Sequence, residues 1–159
     1  MKNYLENILA ITGQTGLFKL ISNAQNRNSI IVESLITKKR MPIFSTASVS
    51  TLKDVSIYTD SEGIALKIVL ENIFEKYNGQ QIFTNKPTNQ DLLAFMENVL
   101  PEYDKEKVYI SDIKKLVVWY NSLIENNIIT KEAIEESNKT DETSETAETV
   151  NTENQEITE

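Results

Sequence analysis

Leu66-Lys67-Ile68-Val69-Leu70-Glu71-Asn72-Ile73-Phe74-Glu75-Lys76-Tyr77-Asn78-Gly79 marks the point where the chain changes its repeat from two residues to 3.6. Leu66, Val69, Leu70, Ile73, Phe74 and Tyr77 form one apolar stripe at helical spacing, and Gly79 stands where a helix C-cap belongs. A helix is therefore predicted here. Two more follow. Thr88 and Asp91 read as an N-terminal capping pair ahead of Leu92, Leu93, Met96, Val99 and Leu100, with Pro101 as the stop. Ser111 reads as the cap of a third helix carrying Ile113, Leu116, Val117, Tyr120, Leu123 and Ile124, and Thr130 caps a last short turn through Ile134.

N-terminal to that stretch, apolar and β-branched residues come in short runs separated by turn-formers, the pattern of strands. Leu17 to Ser22, Ile30 to Ile36, Met41 to Phe44 and Val55 to Thr59 are predicted strands, joined by a polar loop at Asn26-Arg27-Asn28 and a tight turn at Thr37-Lys38-Lys39. Tyr4 to Ala10, with Leu5, Ile8 and Leu9 on one face, is predicted as a short helical lead. The fold class expected is α+β: a small SH3-like β-barrel or bent sheet, with a helical turn near Ser50 to Lys53, followed by a three-helix domain and a disordered tail. The boundaries are 1–60, 61–130 and 131–159. A ~60-residue domain buries only about 60% of its unfolded surface, so the two ordered parts are expected to pack together.

Charge is unevenly divided. Residues 1–59 carry seven basic and three acidic side chains, 60–130 seven and eleven, and 131–159 two and ten. The whole net charge of −8 thus resides in the last 29 residues. From Thr140 the chain runs in acidic, Thr-led triplets without an aromatic residue, a composition that builds no core. Its plain role is solubility, and the sharper reading has it cover the basic half in cis.

The sequence contains no histidine and no cysteine. Cys/His zinc sites, Ser-His or Cys-His nucleophile pairs and an imidazole base are thereby excluded, as is a disulfide framework. An EF-hand loop starting at Asp104 fails, since Val108 and Lys115 fall where oxygen ligands are needed. No catalytic residue, metal ligand or cofactor is assigned. No run reaches the ~18 to 20 apolar residues of a membrane span, and Glu6 and Asn7 interrupt any apolar leader, so a cytoplasmic location is expected.

The remaining candidates are surfaces. Lys38-Lys39-Arg40 is the one dense basic cluster, on a hairpin turn of a half whose aromatics are Phe18, Phe44 and Tyr58; basic barrels with stacking aromatics hold single-stranded nucleic acid. The plainer reading is a solvated turn and core aromatics. Glu33 shares a strand face with Ile31 and Leu35, as a functional carboxylate or as the margin partner of a lysine such as Lys19. Gly13-Gln14-Thr15-Gly16 reads as a simple turn, and Trp119 beside Tyr120 as packing or part of a groove. Lys38, Lys39, Arg40, Lys19 and Glu33 are the candidate binding residues. The function expected is a non-catalytic binding or adaptor module for an unidentified protein partner; weak, salt-sensitive RNA or DNA binding by the basic face is the alternative.

The chain also resembles a bacterial family of uncharacterised proteins, a domain of unknown function, over most of its first 125 residues. The resemblance rests on Ile8-Leu9-Ala10-Ile11, Gly13, Gly16-Leu17-Phe18-Lys19-Leu20, Val32-Glu33-Ser34-Leu35, Arg40 with Pro42, Ile57-Tyr58-Thr59, Tyr109, Ser111 to Lys115 and Trp119-Tyr120. That family more usually places a basic residue and a proline where this chain has Gln14-Thr15. It implies a small β domain followed by helices, and no activity.

Overall fold

The computed structural model describes residues 3–23, 29–44, 48–83 and 85–139; the loop at 26–28 and the triplets from residue 140 lie outside the described residues. Five strands, β1 (Ile8–Ile11), β2 (Leu17–Asn23), β3 (Ser29–Ser34), β4 (Arg40–Phe44) and β5 (Val49–Thr51), form an antiparallel sheet in the order β4-β3-β2-β1-β5. A register shift between Leu20 and Ser22 marks a bulge in β2, which bends a strand. Leu9, Ile11, Phe18, Val32 and Ile43 bury one another in a small cluster on one face. Ile8, Leu17 and Leu35 go instead to the large cluster shared with the helices.

Of the two forms expected for this half, the bent sheet is present and the closed barrel is not. Among the described residues β4 pairs only with β3, and β5 only with β1. The expected last strand, Val55 to Thr59, is spent elsewhere: β6 (Ser56–Ile57) pairs with β7 (Ile64–Ala65) in a separate hairpin. The strand beside β1 is the three-residue β5, followed by a 3-10 turn, Leu52–Asp54.

The helical lead at Tyr4 to Ala10 is corrected too. Residues 4–7 are turns and Ile8 begins β1. Leu5 and Ile8 are buried in the large cluster and Leu9 in the small one, so the segment is apolar because both of its faces are covered.

Among the described residues four helices follow rather than three. α1 (Leu66–Lys76) buries Leu66, Val69, Leu70 and Ile73. It ends as expected: Gly79 takes φ +72, its amide donates to Phe74 O at 2.9 Å, and an added Cβ would stand 3.0 Å from the Phe74 ring. α2 (Asn89–Val99) starts on the expected box, with Asp91 N donating to Thr88 Oγ1 at 3.1 Å and Thr88 N to Asp91 Oδ2 at 2.9 Å. Thr88 thereby holds the Asp91 carboxyl below its ordinary pKa. Phe95, not Leu93, completes its buried face, packing between Tyr77 and Phe83. α3 (Ile110–Glu125) begins before Ser111, with Asp112 Oδ2 accepting from Tyr109 N at 2.9 Å. Thr130 does act as a cap, accepting from Ala133 N at 3.0 Å, but of a fourth helix, α4, spanning 131–139. The tail expected from residue 131 therefore begins with a helix, because Ile134 packs on the core and Ser137 is buried.

α4 and the N-terminal turn meet on α1. Tyr4 Oη donates to Glu71 Oε2 at 2.6 Å, Lys67 Nζ pairs with the same oxygen at 2.8 Å, and Lys67 also donates to Asn138 Oδ1 at 3.2 Å. Burial, then the Glu71 carboxylate, pushes the Tyr4 pKa far above that of an ordinary tyrosine. The folded chain therefore keeps a proton that the unfolded chain gives up near pH ~10. By linkage this contribution is complete below that pH and is lost as the pH rises above it. Tyr4→Phe should cost about 1.5 to 3 kcal/mol at neutral pH, as for a hydrogen bond to a charged group, and should flatten the alkaline fall in stability. Urea unfolding at pH 7 and pH 11 checks both.

Candidate binding groove

The expected basic residues stay at the surface, and two of them, Lys38 and Arg40, are tied to other side chains of the fold. Lys19, Glu33 and Arg40 sit side by side across β2, β3 and β4. Arg40 Nε pairs with Glu33 Oε1 at 3.2 Å, so the partner of Glu33 is this arginine, which stays 65% exposed. Lys38 adopts a left-handed φ of 64°, and its ammonium donates to Asn126 Oδ1 at the end of α3. Asn126 in turn donates to Leu35 O at 3.4 Å, so the turn is fastened to the helical half. Lys39 is exposed at the tip. Of the three aromatics, Phe18 is core, whereas Phe44 and Tyr58 are each 60% exposed.

A different place concentrates unsatisfied surface. Between β6 and α3 lies a slot of about 240 Å³, floored by Leu66, Met96, Ile113 and Leu116. Its lip carries Tyr58, with Lys107 Nζ 5.1 Å from the ring centroid, a cation–π contact. On the other side of Trp119 lies an open channel of about 620 Å³ between α3 and the β1–β2 turn Gly13-Gln14-Thr15-Gly16. Val55, Lys115 and Trp119 line both. Val118, 42% exposed, and Lys114 complete the helical wall of the channel.

Local rules put these groups together. On a helix, Lys115 and Trp119 are one turn apart and share a face, and Lys114 and Val118 repeat that spacing beside them. The turn opposite is tight because Gly13 and Gly16 take φ values of +85° and +81°; at Gly16 an added Cβ would collide with the Ile36 side chain. Three of the seven basic residues of the 60–130 segment thus gather at one groove, although that segment is acidic overall. The one carboxylate among the lining residues, Asp112, is turned to the Tyr109 amide. Beneath the groove wall Tyr120 donates to Gln80 O at 2.9 Å, and burial pushes its pKa up to about 12.

The groove holds an apolar slot smaller than the ~300 to 1,000 Å³ of typical small-molecule sites, a partly buried indole and a cationic rim. Among the described residues no group of three or more acidic side chains is placed to hold a metal ion. The sequence reading does not single out Lys107, Lys114, Lys115 or Val118 as lining a recess. The i, i+4 pairing of Lys115 with Trp119 was the signal that pointed to it.

Among the described residues, fold and groove together define an α+β protein with a five-stranded antiparallel sheet, a two-stranded hairpin, four helices and a recess at their junction. The chain belongs to a bacterial family of proteins of uncharacterised function. Residues 5–52 match a domain of unknown function (DUF5606) and residues 55–123 a second one (DUF6852). A structural-genomics protein from Bacteroides vulgatus, solved by solution NMR, is 42% identical, with the match covering 79% of this chain and 89% of that one at a TM-score of 0.63. No curated protein matches the chain. No helix among the described residues is long and apolar enough to cross a membrane.

Proposed function

We propose that this protein is a non-catalytic cytoplasmic binding or adaptor module that holds an extended segment of a partner protein in the groove around Trp119. The observation that carries the reading is the adjacency of the slot and the channel, which share Val55, Lys115 and Trp119 and have walls from both halves of the chain. Recognition sites of this kind combine a partly buried aromatic anchor, an adjoining apolar pocket and a charged rim. The absence of histidine and cysteine from the sequence removes the commonest nucleophile and base pairs and favours holding over turnover. Nucleic-acid binding by the basic turn is the second reading, favoured by the exposure of Lys39 and Arg40.

Affinity capture from native lysate separates the two. The same partner should be retained with and without nuclease, lost with Val118→Glu and kept with Lys39→Glu. Capture that vanishes with nuclease and with Lys39→Glu supports the second reading, and capture indifferent to Val118→Glu ends the first.

A further inference from the structure

The sequence beyond α4 has the chemistry of a ligand for this groove. Residues 140–159 carry seven carboxylates and no basic residue, with Val150 and Ile157 as their only large aliphatic side chains. The groove offers the complement: Lys107, Lys114 and Lys115 on the rim and an apolar slot of about 240 Å³ that admits one such side chain. The geometry of departure fits as well. Asn138 is held by Lys67. Lys67 is the chain neighbour of Leu66, and Leu66 floors the slot. The segment therefore leaves α4 beside the helix whose first residue forms the bottom of the recess. Twenty residues reach at most about 66 to 72 Å when fully extended.

We propose that residues 140–159 occupy the Trp119 groove of their own chain, as an internal competitor that an incoming partner segment must displace. The contact is electrostatic at the rim and apolar in the slot. Tethering raises the effective concentration of the segment to the millimolar range, so even a weak contact is populated. The inference rests on the groove being a site for chain segments and goes beyond it by naming the first occupant. It differs from a tail lying on the Lys38 to Arg40 turn, where Lys38 and Arg40 already have partners in Asn126 and Glu33.

The chain has one tryptophan and no cysteine, so a single energy-transfer pair reports the contact. In the full-length chain, Thr152→Cys labelled with a dansyl acceptor would be excited through Trp119. Transfer should be high at low salt and fall roughly two-fold or more at ~0.5 M salt, where the Debye length shrinks to a few ångströms. It should fall equally at low salt in the double variant Lys114→Glu, Lys115→Glu, whose changes lie on an exposed helix face and leave the core intact. A Lys38→Glu, Lys39→Glu control should leave transfer unchanged. Transfer insensitive to salt and to the Lys114/Lys115 reversal overturns the proposal. So does transfer that rises with protein concentration, which would place the segment in the groove of a second copy. If partner capture still depends on Val118 while transfer is insensitive, the groove keeps its function and only the internal occupant is lost. If capture ignores Val118 as well, the reading of the groove itself has failed.

Discussion

Leu52→Ala should destabilise the sheet and the helices together, by about 2 to 5 kcal/mol, in one unfolding transition. Leu52 is 0% exposed on the 3-10 turn that separates the five-stranded sheet from everything after it. It belongs to the same buried cluster as Leu5, Ile8, Leu17 and Leu35 from the sheet side and Leu66, Val69 and Leu70 from α1. Truncating it removes three carbons from a site walled by both halves, and neither wall relaxes without moving the other. The sheet's own cluster of five residues is too small to hold that half alone. Hydrogen exchange measures this directly: amides of β2 and β3 should lose protection by the same factor as those of α2 and α3. Two separate transitions, or protection lost in one half only, would show that the halves fold independently.

Asn121→Ala should cost about 2 to 4 kcal/mol, the largest effect expected of any polar substitution. Asn121 on α3 holds the backbone of Ile82 from both sides: its Oδ1 accepts from Ile82 N at 2.8 Å and its Nδ2 donates to Ile82 O at 2.8 Å. Ile82 is buried, and among the described residues the segment around it has no strand partner to take over those bonds. Alanine leaves a donor and an acceptor together, each costing about 1 to 3 kcal/mol when desolvated and unpaired. Phe83 also loses its fixed position against Phe95, where the ring centroids stand 5.7 Å apart. Chemical denaturation gives the total, and the exchange rate of the Ile82 amide locates it. An unchanged rate at Ile82 would mean that the loop is held by other contacts.

The helices were readable because their determinants are local. The stripe from Leu66 to Tyr77, the cap at Thr88 and the C-terminal Gly79 each act within a few residues. The errors have equally definite causes. Leu5, Ile8 and Leu9 imitate a helical face because a strand buried on both sides is apolar throughout. Val49–Thr51 is only three residues long and mostly polar, below what alternation detects, so no strand is predicted there and the last strand is placed at Val55 to Thr59. At the site, the cluster Lys38 to Arg40 was visible, but its clasp at Asn126 lies 88 residues away and no local rule reaches it. The groove was hidden for the same reason, since the turn at 13–16, the segment 55–58 and the face of α3 are brought together only by the shared core.

The fastening of Tyr4 and Asn138 to neighbouring residues of α1 has a mechanical side. Tension applied between these two points would bear first on a single turn of helix, through Glu71 and Lys67, and would bypass the strand ladder. A load arriving from either end of the described chain thus meets three side-chain bonds before it meets the sheet, and the sheet stays in register until that knot has slipped.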